Sequence, residues 1–233
     1  MAYQQENHWW FKARREHIRT ILKKYTPNRN IKILEIGCGT GANLSMLKEY
    51  GEVYAMEMNE FASGYASETT GLEIKIGWLP DNIPFDEKFN IVCLFDVIEH
   101  VKDDKTALKE LQKLLLPDGI AIITVPAHPL LYGVHDKMHH HYRRYSTKAL
   151  RKIIDESHMK TLKISHFNFL LFPALLITRI IDIILKPERS TGYSIPNPFL
   201  NKILYKIFLS EKFSLNLISV PFGGSAFVIL KKH

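Results

Sequence analysis

The chain is 233 residues long, with 46% hydrophobic and 24% charged residues, which suits one sizeable domain carrying an insertion and excludes two domains of equal size. Its net charge of +7 conceals an acidic centre: residues 31–130 hold 8 Lys and Arg against 16 Asp and Glu, while both ends are basic. Cys38 and Cys93 fall in strand-like runs and read as reduced side chains rather than a disulfide, and the opening MAYQQENHWWFKARREH lacks an apolar stretch of secretory length, so a cytoplasmic location is expected.

In chain order, the basic segment HWWFKARREHIRTILKKY reads as a helix with an aromatic start, within an N-terminal stretch of residues 1–26. IKILEI (31–36) is a short apolar run that ends at GCGTGANLSMLKEY, where glycines give way to helical spacing at Leu44, Leu47 and Tyr50. Strands VYAMEM (53–58) and LEIKIG (72–77) each follow a glycine. FNIVCLFDVIEHV (89–101) comes next, then a helix over 103–116 capped by Asp103 or Asp104 and stopped at PDG, then the strand GIAIITVP (119–126). Ser146 caps another helix, TKALRKIIDESHM; KTLKISHF reads as a sixth strand and GGSAFVILKK as a seventh. Strands alternating with helices, nearly continuous in apolar character, predict a parallel sheet covered on both faces. Between the last two strands lies an apolar and basic insertion at about 167–219. If Pro173 starts a helix there, its ~14 residues span about 20 Å, short of a ~30 Å hydrocarbon core. Arg179 and Asp182 interrupt it, so the segment is expected to be a buried or interfacial helix.

The strongest chemical signal is LEIGCGTGANL. Gly37, Gly39 and Gly41 let the backbone turn sharply after the strand and bring its N–H groups against a ligand. A dinucleotide fingerprint needs G-x-G-x-x-G; here the third glycine comes one residue early and Glu35 precedes the first, so the ligand implied has no phosphate to cradle. Glu57, at the end of the second strand, can accept both hydroxyls of a ribose.

With ILEIGCGTG, VYAMEMN, FNIVCLFDVIEHV and LLPDGIAIITVP in place, the chain resembles the class I S-adenosylmethionine-dependent methyltransferases. Over nearly its whole length it is similar to a bacterial and archaeal subgroup with segments of the ENHWWFKARR, VPA…HD…HYRRYS and P-x-G-x-S types. The resemblance implies one domain over 1–233: a Rossmann-like α/β fold with a seven-stranded, mostly parallel sheet, helices on both faces and the last strand antiparallel. It also implies an N-terminal lid helix at 1–26 and S-adenosyl-L-methionine as cofactor. The residues implied to hold that cofactor are Glu35, Gly37, Cys38, Gly39, Gly41 and Asn43 of the loop, and Glu57, Met58, Trp78, Leu79, Phe95, Asp96 and His100 at later strand ends. Trp10 and Arg14 of the lid complete the set. Trp78 departs from the pattern, because the Asp common at that position accepts from the adenine amino group and an indole cannot.

GVHDKMHHHYRRYS (133–146) follows the fifth strand and so falls at the carboxyl edge of the sheet, beside the reactive methyl group. His135 and His139 are four apart and could ligate a metal from one helix face, but no cysteine joins them, and no metal is expected. Nucleic acid would want a longer basic stripe, and none is expected as a partner. The favoured reading is an acceptor-binding lid; the alternative is a structural turn in which Arg143 and Arg144 pair with helix ends and Tyr145 packs. Methyl transfer needs an aligned nucleophile and a base for its proton, which a His held by an Asp supplies near neutral pH. His141, His135 and Asp136 are the catalytic candidates, His141 first by the match to HYRRY. Tyr132, Arg143, Arg144 and Tyr145 are the candidates for binding the acceptor. DVIEH offers a second arrangement: Asp96, Glu99 and His100 resemble the EVLEH stretch of ubiquinone-pathway O-methyltransferases, where carboxylates hold a divalent ion. The expected reaction is methylation of a hydroxyl or carboxyl on a small-molecule, sugar or lipid-linked acceptor, with peripheral contact at the inner membrane face suggested by the basic flanks. The rival readings are a dehydrogenase and a non-catalytic protein that keeps the cofactor fold at the membrane surface.

Overall fold

The apolar runs become the strands β1 (Lys32–Ile36), β2 (Glu52–Glu57), β3 (Ile74–Ile76), β4 (Phe89–Phe95), β5 (Leu115–Pro126), β6 (Lys160–Phe167) and β7 (Ser225–Lys231). They form one seven-stranded sheet in the order β3-β2-β1-β4-β5-β7-β6. Pairing is parallel from β3 through β5, and β7 runs antiparallel to both its neighbours. This is the sheet expected from the sequence. The computed structural model describes residues 2–26, 31–185 and 194–232.

Successive side chains of a strand point to opposite faces, and both faces of this sheet are covered. Leu34 and Ile36 of β1 turn to one side, where they meet Leu108 and Leu111 of α5 (Asp104–Leu114) and Leu150 and Ile154 of α7 (Thr147–Asp155). Ile33 turns to the other, into a cluster with Ile18 and Leu22 of α2 (Trp9–Tyr25) and Phe208 of α9 (Pro198–Ser210). Leu111 is fully buried, so Leu111→Ala carries the ~2–5 kcal/mol cost of a core truncation.

The basic N-terminal stretch is two helices, because His8 ends α1 (Ala2–Asn7) and caps α2, its Nδ1 accepting from the Trp10 N–H. α9 lies against α2: Phe208 stacks on His17 with ring centroids 4.5 Å apart, and Asn201 accepts from the Trp9 N–H at 2.9 Å. The insertion also holds α8 (Phe172–Leu185), with Pro173 in its first turn, and α10 (Lys212–Leu215). Among the described residues no helix is long and apolar enough to cross a membrane. Residues 186–193 of the expected insertion, and Met1 of the expected lid, lie outside the described residues.

Three boundaries differ from the sequence reading. α3 (Leu44–Leu47) is a single turn, because the chain must reverse at Gly51, where a Cβ would stand 2.3 Å from the Ile31 carbonyl oxygen. PDG does not stop anything: β5 already begins at Leu115 opposite Phe89, and the extra residues bulge out through Asp118 in the left-handed region at φ +63° before Ile120 pairs with Ile91. α7 ends at Asp155 rather than running on to Met159, with His158 at φ +57° breaking the helical path.

Candidate functional site

In an open α/β sheet ligands bind outside the carboxyl ends of the strands where the order reverses, here between β1 and β4. A cavity of about 540 Å³ opens there. Its wall brings together Gly37, Cys38, Gly39 and Asn43 from the loop after β1, and Phe95, Asp96, Glu99 and His100 from the end of β4 and the 3-10 turn after it (Ile98–His100). Trp10 and Arg14 reach it from α2, and His135, His141 and Arg144 from the segment after β5.

The loop geometry requires glycine. Gly37 sits at φ +69°, and a Cβ there would press to 2.8 Å from a Val97 methyl. At Gly39, φ +56°, a Cβ would meet nothing within 4 Å, so the missing side chain leaves open space on the cavity wall where a ligand can lie against backbone. Glu57 braces this loop: its buried carboxylate accepts the Gly39 N–H at 2.8 Å and the Asn59 N–H at 2.9 Å. Each oxygen keeps a lone pair for a further donor. Glu35 lies behind the loop and holds Asn43 Nδ2 at 2.8 Å; its other oxygen is buried without a partner, and burial pushes its carboxyl up to about 7.

Arg14 closes the cavity from above. It pairs with Asp96 at 2.7 Å, lies over the Trp10 and Phe95 rings, and keeps a buried Nε with no acceptor. Asp96 itself is held at φ +57° and accepts from Thr124 Oγ1 at 3.1 Å. These features leave room for the methionine end of S-adenosylmethionine, with the Arg14 guanidinium available to a carboxylate and the Asp96 carboxylate to an ammonium group.

On the opposite wall, α6 (Val134–Met138) and the extended residues after it are organised by one carboxylate. Asp136 is fully buried and accepts from His141 Nδ1 at 2.9 Å, from Arg144 Nε at 2.8 and 2.9 Å, and from the Gly133 N–H at 2.9 Å. Burial alone would raise its carboxyl, but His141 and Arg144 outweigh that and hold it well below the usual carboxylate range. The His141 ring stands edge-on to His100 with centroids 4.6 Å apart. Burial and then the neighbouring His141 lower the His100 imidazole to about 4, while burial and then Arg179 lower His135 to about 3.

Several expected contacts are placed elsewhere. Asp136 stands behind His141 rather than on the cavity wall, and Gly41 faces Leu44 of α3 and Ala66 and Thr70 of α4 (Glu60–Thr70) beneath the loop. Met58 and Trp78 are 67% and 43% exposed, outside the cavity, and Leu79 is packed into the core. Arg143 turns away to the Asp104 carboxylate at 2.6 Å and the Lys102 carbonyl at 2.7 Å. Tyr145 is buried, its hydroxyl donating to Asp104 at 2.9 Å, and the Tyr132 hydroxyl donates to the His141 carbonyl at 2.7 Å. These three side chains clasp the segment; Arg144 alone of the expected acceptor-binding set lines the cavity. Asp96 is drawn to Arg14, so the expected grouping of Asp96, Glu99 and His100 does not form; His141 stands beside Glu99 and His100 instead.

The sequence reading missed the insertion's share of the wall. Leu171 just before α8, Ala174 and Leu175 at its start, and Leu204 of α9 line the cavity. Glu211 fixes that approach, its buried carboxylate accepting the N–H groups of Asn168 at 2.6 Å and Leu170 at 2.8 Å. No periodicity announces such a contact, which depends on where β6 ends.

Comparison with known proteins agrees with this geometry. An uncharacterized methyltransferase of Staphylococcus carnosus is 36% identical over 106 residues, covering 44% of this chain and 51% of that protein. A ubiquinone biosynthesis O-methyltransferase of Rickettsia bellii is 31% identical over 115 residues, covering 46% and 47%. The match thus spans about half the length of these curated relatives. The fold of an S-adenosylmethionine-dependent methyltransferase from Archaeoglobus fulgidus superposes with a TM-score of 0.56 over 94% of each chain at 16% identity. A family model for a methyltransferase domain matches residues 8–163, from the cap of α2 into β6, and the chain therefore belongs to the methyltransferase domain family, with S-adenosylmethionine as its cofactor.

Proposed function

We propose that the protein methylates an oxygen, hydroxyl or carboxyl, of a small-molecule, sugar or lipid-linked acceptor bound in the cavity beside His141. The observation that carries this reading is the 2.9 Å contact between His141 Nδ1 and a fully buried Asp136. Bound S-adenosylmethionine supplies a methyl group already activated on a sulfonium. The chain's own residues then align and deprotonate. Gly37, Cys38, Gly39, Asn43 and Arg14 hold the methionine end, and Glu57, which lies behind Gly39 and does not itself line the cavity, is the candidate for the ribose hydroxyls. Asp136 fixes the His141 tautomer with Nδ1–H toward the carboxylate, which leaves Nε2 as the basic nitrogen for the acceptor's proton. Arg144 keeps Asp136 ionised. His135 lines the same wall and is the second candidate base.

The relative named as an O-methyltransferase supports oxygen as the nucleophile. The lipid-linked arm draws support from α8, which, with Leu171 just before it, turns Ala174 and Leu175 to the cavity and leaves Ile177, Ile180, Ile181 and Ile184 exposed, a face suited to the inner membrane surface. The ENHWWF and HYRRYS segments, which carry the resemblance to the narrower subgroup, both border the cavity. His141→Ala tests the reading: affinity for S-adenosylhomocysteine should stay within about 2-fold while methyl transfer slows by about 10²–10⁴-fold, the usual contribution of positioned proton transfer. Loss of cofactor binding together with activity would make the segment a structural clasp.

A further inference from the structure

We propose that Glu99, His100 and His141 form a binding site for a divalent transition-metal ion, with Zn2+ the best chemical match. Their ligand atoms all lie within 4.8 Å of one another on the cavity wall. Two come from the turn after β4 and the third from the segment after β5.

Glu99 is the second, independent pointer. Its carboxylate is 0% exposed, and neither oxygen has a hydrogen-bond partner, although its own backbone is engaged by the Tyr142 N–H at 2.8 Å. A buried carboxylate without donors is costly, and it must either take up a proton or meet a cation. Arg14 does not supply that charge by direct contact, because its guanidinium is paired with Asp96.

The histidines are prepared for ligation. His100 stands edge-on to His141 with ring centroids 4.6 Å apart, so both imidazoles face the same space beside Glu99. His141 gives Nδ1 to Asp136, the carboxylate–histidine arrangement that orients an imidazole toward a metal through Nε2. Two nitrogens and one carboxylate favour Zn2+ over Mg2+ or Ca2+, which prefer oxygen sets, and three protein ligands leave a fourth position open to the cavity. An ion here would tie the histidine-rich segment to the turn at Ile98–His100. It would compete with the acceptor's proton for the same Nε2, so this inference rests on the placement of His141 beside the acceptor.

The test is calorimetric titration of Zn2+ into chelator-stripped protein, with melting temperature as a second readout. Wild type should bind one equivalent and melt higher with Zn2+ but not with Mg2+. Glu99→Gln, His100→Ala and His141→Ala should each weaken Zn2+ by more than the ~10–100-fold expected of Asp136→Asn, which removes only a supporting partner. His139→Ala should bind within about 3-fold of wild type, and native circular dichroism with a cooperative unfolding transition shows that each variant is folded; should an alanine variant fail to fold, the shape-conserving Glu99→Gln decides. No saturable Zn2+ binding by wild type, or equal binding by Glu99→Gln and His141→Ala, overturns the proposal. The two readings fail separately: turnover that depends on His141 without Zn2+ binding removes the ion alone, and Zn2+ binding with turnover indifferent to His141→Ala removes the acceptor base alone.

Discussion

Asp136→Asn should destabilise the protein by about 3–5 kcal/mol at neutral pH, the cost of leaving a buried charge without its partner. The charge in question is Arg144, which is only 7% exposed and has the Ala127 carbonyl at 3.3 Å as its other acceptor. Each charge-assisted bond to Asp136 is worth roughly 1.5–3 kcal/mol, but they share one carboxylate and do not add. The sign with pH follows from the lowered carboxyl: its stabilisation is present above the ordinary value of 3.8 and fades as pH falls toward the folded value. The gap between wild type and variant should therefore be full at pH 7 and narrow below about 4. Urea denaturation across that range measures it. The double variant Asp136→Asn/Arg144→Met should lose less than the sum of the single changes, because it removes the stranded charge. A cost under about 1 kcal/mol, or additive single and double variants, would refute the view that one carboxylate organises this wall.

Glu57→Ala should weaken S-adenosylhomocysteine binding by removing two charge-assisted bonds of about 1.5–3 kcal/mol each and loosening Gly39; calorimetry with unchanged affinity would remove the ribose assignment. Glu35, pushed from 4.5 up to about 7, favours the protonated fold, so ligand-free protein should lose about 3 kcal/mol as pH rises from 4.5 through 7. Glu35→Gln should remove that loss, and parallel pH–stability curves for variant and wild type would contradict it. Vesicles of anionic lipid should retain the protein at low salt and release it near ~0.5 M, where charge attraction is screened within a few Å; salt-independent pelleting would instead indicate insertion of the α8 face.

The sheet was legible because its central strands, such as IKILEI, FNIVCLF and GIAIITVP, are nearly continuous apolar runs, and a buried parallel sheet demands that pattern. The cofactor loop was legible because backbone at φ +69° and +56° admits glycine and little else. What stayed hidden depends on direction. Arg143 and Arg144 are equivalent as letters, yet neighbours in an extended stretch point to opposite sides, so one pairs with Asp104 outside and the other with Asp136 inside. Asp96, Glu99 and His100 are close in sequence, but Asp96 leaves the group for Arg14 on a helix far upstream, and His141 takes its place. The PDG bulge was misread for a related reason: turn residues mark a change of direction without showing whether the strand resumes.

The most direct measurement supplies methyl-labelled S-adenosylmethionine with fractionated metabolite and lipid extracts, then determines by mass spectrometry and NMR which atom carries the label. Wild type should place it on a hydroxyl oxygen, as an ether, and His141→Ala should bind the cofactor equally well yet transfer label about 10²–10⁴-fold more slowly, whereas an ester, formed from an already ionised carboxylate, would leave His141 without a proton to remove. Label on nitrogen or carbon, or equal transfer by His141→Ala, would contradict the assignment of an oxygen acceptor deprotonated at His141.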